Sequence, residues 1–135
     1  EEIKVQIGSA WSDGDEFDAE VKGRDLTTGL PRTFILTPDQ VRSAFEEPIQ
    51  AIVDSVIDCL SQAPPELSQD LLVHGVHLVG GGALLRGLDK RIEHAARVPV
   101  RIVPTPMEAV VLGAGRALDN FETLSSTFNT HGPRW

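Results

Sequence analysis

The chain has 135 residues, 41% of them hydrophobic and 24% charged, which are the proportions of a globular domain. Its 20 Asp and Glu against 12 Lys and Arg give a formal net charge of −8, which argues against the clustered basic surface that nucleic-acid binding requires. No apolar run reaches the roughly 18–20 residues of a membrane span, no signal-peptide pattern opens the chain, and the single cysteine, Cys59, leaves no internal disulfide. A reducing, cytoplasmic setting fits these features.

The opening EEIKVQIGSAW begins in mid-pattern: Ile3, Ile7 and Trp11 share one helical face with no capping residue ahead of them, as in a piece of a longer chain. DGDEFDAEVKGRDLTTGLPRTFILT then reads as a β-hairpin. Phe17, Ala19 and Val21 alternate with charged residues, Phe34–Leu36 forms the return strand, and KGRDLTTGLP is a long irregular connection. Thr37 is an N-cap candidate with Pro38 in the first helical position and Gln40 closing a capping box. Behind it Val41, Phe45, Ile49, Ile52, Val53, Val56, Ile57 and Leu60 form a stripe of helical period. Pro48 is expected to kink or split this helix, Pro64 and Pro65 to end it, and Cys59 to be a small core residue. LLVHGVHLVGGG reads as a strand entering a glycine turn. LLRGLDKRIEHAAR follows as a helix with Leu85, Leu88, Ile92, Ala95 and Ala96 inward. VPVRIVPTP is a second buried strand, and PMEAVVLGAGRALDNFETL a last helix. This strand–helix–strand–helix order with short links marks a parallel α/β arrangement. The tail SSTFNTHGPRW has no periodicity and is expected to be mobile.

The run Gly80-Gly81-Gly82 places bare backbone where a strand hands over to a helix, at the edge where α/β folds bind ligands. A P-loop is excluded, because Leu88 stands where its lysine would follow Gly87. The Rossmann spacing is missed as well, since the third glycine would fall at Leu85. A base or ribose contact fits the turn better than a triphosphate cradle. SDGDEFDAE, with five carboxylates in eight residues, lacks the spacing of a calcium loop and reads as a solvated acidic turn. His74 and His77, three apart in an extended segment, point to opposite faces and cannot share a metal; His94 lies on a charged helical face and His131 in the tail. No nucleophilic catalytic set can be assembled.

VHLVGGGALLRGLDKRIEHAARVPVRIVPTPMEAVVLGAGRAL resembles the C-terminal part of bacterial actin homologues of the MreB/Mbl family, with their TGGGALL adenosine motif and Gly-x-Gly final helix. EEIKVQIGSA, the hairpin EVKGRDLTTGLPRTFILT and the helix FEEPIQAIVDSVIDCLSQAPPEL are similar to upstream parts of the family in the same order, so the resemblance covers residues 1 to about 120. It implies an α/β fold, a partial actin-like (ribonuclease H-like) ATPase lobe: a parallel strand–helix–strand–helix unit with a small hairpin-and-helix subdomain. The implied division is 1–11 and 66–120 for the large-subdomain part, 12–65 for the inserted small subdomain, and 121–135 for the tail.

The resemblance further implies an ATP- or ADP-binding cytoskeletal filament subunit involved in cell shape. It would work in the cytoplasm, at the inner face of the membrane, with other subunits and a membrane-anchored adaptor of the RodZ type as partners. The nucleotide-binding residues it implies are Glu1, Glu2, Ile3 and Lys4 with Gly80, Gly81, Gly82, Ala83 and Leu84. Glu1 would hydrogen-bond the ribose and Lys4 would lie beside the adenine, although Glu/Lys pairs at this spacing are also ordinary solvated surface. Val79 replaces the family's Thr before the glycines, and Ala114 stands where a third glycine is frequent. The family's phosphate-binding hairpins and water-positioning acid have no counterpart in these residues, so this chain alone is not expected to hydrolyse ATP or to assemble a Mg²⁺ site. Strands Val76–Val79 and Val98–Val103 are expected to leave an open apolar edge that favours self-association. Two other functions stay open: an interaction module without nucleotide, and a Rossmann-like dinucleotide enzyme.

Overall fold

A computed structural model describes residues 2–12, 14 and 16–125. The chain runs α1 (Glu2–Ile7), β1 (Ala19–Arg24), β2 (Pro31–Leu36), α2 (Pro38–Ser61), α3 (Pro65–His74), β3 (Val76–Leu78), a 3₁₀ turn (Gly81–Leu84), α4 (Leu88–Ala96), β4 (Val100–Ile102), α5 (Ala109–Asp119) and α6 (Phe121–Leu124). The fold is mixed α/β, as the element order predicts.

β1 and β2 pair antiparallel from Ala19↔Leu36 to Arg24↔Pro31, so the strands run further than the alternation suggested and the connection shrinks to Asp25–Leu30. Asp25 makes the short turn workable. Its Oδ1 accepts the backbone N–H groups of Thr27 (2.8 Å) and Thr28 (3.0 Å), while Gly29 takes the left-handed conformation at φ 73°. Arg32 reaches back to Asp25 Oδ2 at 3.2 Å and lies 5.1 Å from the Phe34 ring centroid.

α2 starts on the capping box read from the sequence: Gln40 N–H donates to Thr37 Oγ1 at 3.3 Å and Thr37 N–H to Gln40 Oε1 at 3.1 Å. Pro48 lies inside the helix without splitting it. It is exposed, and its cost is borne by a helix long enough to run on both sides of it. The buried stripe is narrower than the apolar one. Ile49 and Val53 are buried and Phe45 and Val56 partly so, whereas Ile52, Ile57 and Cys59 are exposed, Cys59 against expectation. A helix packed along one side buries only about a third of its circumference.

Pro65 does not merely end α2. It occupies the first turn of α3, where its missing N–H costs nothing, and α3 takes up LLVH, which the sequence reading gave to a strand. His74 thus closes a helix and only His77 lies in β3. β3 pairs with β4 in parallel register, Val76↔Val100, His77↔Arg101 and Leu78↔Ile102. Among the described residues this sheet has two strands, so each has a neighbour on one side only. α4 covers the pair and α2 covers α4. Ala10, Ile49, Val53, Leu88, Ile92 and Val100 form the core, with Leu85 and Ala96 packed against it and Ala95 left exposed. Arg91 joins α4 to α2 through Glu46 and Gln50. The last helical stretch breaks at Asn120 into α5 and α6, and α5 buries none of its residues. Of the expected mobile tail, residues 121–124 are therefore helical and 126–135 lie outside the described residues.

Candidate functional site

The glycine turn begins where β3 stops. Gly80 has φ 82° and ψ 173°, a backbone conformation open in practice to glycine alone. Its N–H donates to Pro106 O at 2.6 Å, which ties the turn to the loop after β4. Ala83 N–H then donates to Gly80 O at 3.2 Å and Leu85 N–H to Gly82 O at 3.1 Å, closing a 3₁₀ turn with Ala83 buried and Leu84 57% exposed. The glycines do not open α4, as the sequence reading had it. Leu85 is extended, Arg86 forms an isolated parallel bridge with Ser9, and α4 starts only after Gly87, at φ 73°. The exposed amides here are thus those of the 3₁₀ turn, separated from the helix dipole of α4.

The chain's glycines divide into crowded ones and open ones, and the turn shares its openness with Gly14, Gly23, Gly113 and Gly115, where a Cβ would also meet nothing within 4 Å. A Cβ on Gly8 would lie 2.1 Å from Lys4 O, one on Gly75 2.3 Å from Pro99 O, and one on Gly87 2.6 Å from Trp11 Cβ. Those three are glycines because the fold has no room. Around Gly80, Gly81 and Gly82 a Cβ would meet nothing within 4 Å. Gly80 is explained by its φ, whereas Gly81 and Gly82 are not explained by any contact among the described residues.

The second predicted segment is α1, whose Ile7 is buried and whose Lys4 is exposed; Ile3 is half-buried. Glu2 opens the helix, and Glu1 lies outside the described residues. α1 is shorter than the Ile3–Ile7–Trp11 pattern suggested, because Gly8 ends it and Ser9 turns into the bridge with Arg86. The structure joins α1 to the glycine turn at this bridge. Ala10 N–H donates to Arg86 O at 2.8 Å, and the Arg86 guanidinium reaches Gly8 O at 3.4 Å and Gln6 O at 3.3 Å. Sequence reasoning missed Arg86, which lies 77 residues from Ser9 and has no local signal.

Among the described residues no group of three or more His, Cys, Asp and Glu side chains could hold a metal ion, and the SDGDEFDAE stretch is described only outside Asp13 and Asp15. No helix among the described residues is long and apolar enough to cross a membrane.

A parallel strand pair under helices, with bare glycine backbone at the carboxyl end of one strand, defines an α/β protein. The family model for MreB/Mbl protein matches residues 1–126, and the chain belongs to that family. It is 38% identical over 124 residues to the cell shape-determining protein Mbl of Bacillus subtilis (strain 168), covering 92% of this chain and 37% of the relative. It is 41% identical over 119 residues to the cell shape-determining protein MreB of Escherichia coli (strain K12), covering 88% and 34%. Its structure matches the crystal structure of MreB5 of Spiroplasma citri bound to ADP with a TM-score of 0.82 and 27% identity, over 95% of this chain and 39% of that one. The same protein bound to AMPPNP gives 0.81 at 28% identity. The fold is therefore actin-like, and the chain spans little more than a third of the length of these relatives.

Proposed function

We propose that this chain is part of an actin-like, nucleotide-binding filament subunit that helps set cell shape, and that it carries the wall against which the adenosine end of ATP or ADP lies. The observation that carries this reading is the place of the open glycines: Gly81 and Gly82 are bare with room for side chains, as Gly23, Gly113 and Gly115 also are, but they alone follow the carboxyl end of a strand of the parallel pair. A flat base or a ribose lying on the main chain explains that choice. Gly80, Gly81, Gly82, Ala83 and Leu84 would form this wall. Glu1, Glu2, Ile3 and Lys4 would face it from α1, with Glu1 on the ribose and Lys4 beside the adenine. The Ser9–Arg86 bridge supports this pairing, since it fixes the end of α1 to the residue just beyond the turn. MreB5 of Spiroplasma citri, the structural neighbour, is bound to ADP in one structure and AMPPNP in the other.

The chain would hold the nucleoside but neither the phosphates nor Mg²⁺, and so would not hydrolyse ATP by itself. Its subdomains would be 1–11 with 66–120, and 12–65, with α2 as the bridge between them. Its place would be the cytoplasm beside the membrane, with further subunits and an adaptor of the RodZ type as partners. Saturation-transfer NMR with adenosine, AMP, ADP and NAD tests the reading. Signals from the adenine and ribose protons of adenosine, AMP and ADP, similar in strength whatever the phosphate count, are expected. Preference for NAD, or silence throughout, would contradict it.

A second reading is a module that binds other subunits without nucleotide. The exposed apolar side chains Met107, Val110, Val111 and Leu118 on and before α5 favour it. The dinucleotide-enzyme reading has no such support, since the turn leads into a 3₁₀ turn and an extended strap rather than a helix N-terminus.

A further inference from the structure

A groove of about 560 Å³, separate from the glycine turn, runs along the C-terminal end of α4, between Trp11, Lys90, His94, Arg97, Val98 and Pro99. Its floor is apolar and fixed. Trp11 is held from below by Gly87, whose missing Cβ would lie 2.6 Å from the Trp11 Cβ, and from behind by its N–H bond to Ser9 Oγ at 3.3 Å. Its ring meets the His94 ring with centroids 5.3 Å apart, tilted by 48°. One carboxylate, Glu93, lines the groove, and it is already engaged by the Val100 N–H at 3.1 Å.

Arg97 is the unexpected member. It caps α4 in the left-handed conformation, φ 58°, the only described non-glycine residue with positive φ. Glycine is the unstrained choice for this position, by roughly 1 kcal/mol. Arg97 is nevertheless a long cation, and its guanidinium makes no hydrogen bond or ion pair among the described residues. A strained backbone position occupied by an unpaired charge beside the half-buried Trp11 ring is the mark of a side chain kept for something outside its own fold.

The chain carries a net charge of −8, so a cationic, aromatic-floored groove is the opposite of its general surface. The same chain also supplies the complementary element. Phe17 is 59% exposed and is followed by the exposed Asp18 and Glu20. The segment is presented rigidly, because Glu16 is clamped by Arg42 of α2, which also holds Asp39, and Ala19 begins the hairpin ladder. The hairpin tip is the other candidate insert, with Leu26 fully exposed, but Lys22, Arg24 and Arg32 surround it with the wrong charge for this groove.

We propose that this groove is the docking site for a second copy of the chain, whose Phe17 lies against Trp11 and Pro99 while its Asp18 pairs with Arg97. Such a contact joins two different patches, so it propagates head to tail unless a two-fold arrangement closes it. The proposal deepens the filament-subunit reading by naming a contact, and it does not depend on nucleotide.

Sedimentation velocity on the 135-residue chain, over a range of concentrations at low and high salt, reads the association. Arg97→Gly removes the cation while relieving the backbone, so its thermal midpoint should be equal or higher and its association weaker by about tenfold. Asp18→Arg should weaken association similarly, and the pair Asp18→Arg with Arg97→Glu should recover it. In a Trp135→Phe background, a peptide of the sequence SDGDEFDAE should change the fluorescence of Trp11 and compete with association. A chain monomeric at every concentration, association untouched by Arg97→Gly, or reversals that fail to rescue one another would overturn the proposal. An unrelated acidic peptide that competes better than the chain's own segment would also overturn it, in favour of a foreign partner. ADP titrated into the same samples keeps the questions apart: loss of ADP binding with association intact contradicts only the nucleotide wall.

Discussion

Ala10 and Arg86 are joined by a backbone hydrogen bond of 2.8 Å, between the strap that follows α1 and the residue just beyond the glycine turn. The Arg86 side chain doubles the tie by donating to Gly8 O and Gln6 O. These bonds make the two halves of the proposed adenosine wall one unit. Arg86→Ala keeps the backbone bond and removes the side-chain ones, so it should cost about 1 kcal/mol of stability in urea unfolding. Nucleotide binding should suffer more than stability does, because the spacing of the two halves loosens first.

Glycines of two kinds give a paired prediction. Gly87→Ala places a Cβ against Trp11 at positive φ and should destabilise by about 2 kcal/mol or more. Gly81→Ala enters open space at ordinary φ and should stay within about 0.5 kcal/mol of the parent. Thermal melts of the two variants side by side check this; equal losses would mean that the glycine turn is packed after all.

The capping box of α2 is a strictly local prediction. Thr37→Ala removes the acceptor of the Gln40 N–H and should cost about 1 kcal/mol by chemical denaturation.

That box was legible because capping is decided within four residues, and so were α2, the hairpin and the parallel order of the last elements. What escaped was decided elsewhere. Trp11 extends the helical period of Ile3 and Ile7, but the chain leaves the helix at Gly8 to bridge with Arg86, a pairing across 77 residues. LLVH looked like a strand because apolar runs of that length are ambiguous, although Pro65 followed by Glu66 already carried a helix-start signal. Cys59 and Ala95 fell on the wrong side of their helices because composition shows that a face is apolar, not which part of it meets a neighbour. The glycine run was legible as a turn at the end of a strand; the room around it was not, because that depends on what packs there from elsewhere in the chain.

Asp25 gives the pH dependence. Its carboxylate is held below the ordinary range, first by the Thr28 N–H, then by the Thr27 N–H and the Arg32 guanidinium. A pKa lowered on folding contributes stability above the unfolded value of about 4, and that stability is lost as pH falls through the folded value. The hairpin turn should therefore be fully ordered at neutral pH and loosen only below about pH 4. The amide shifts of Thr27 and Thr28 followed by NMR check this, and Asp25→Asn should abolish the transition.

The central claim is that Gly80–Leu84 is an adenosine wall, and calorimetric titration of ADP into a concentrated sample of the chain, beside Gly81→Val, tests it most directly. Weak binding with a Kd of roughly 1 mM, about −4 kcal/mol, is predicted, and it should vanish in a Gly81→Val variant that melts normally. No heat at several times that concentration, or binding that survives Gly81→Val, would contradict the account.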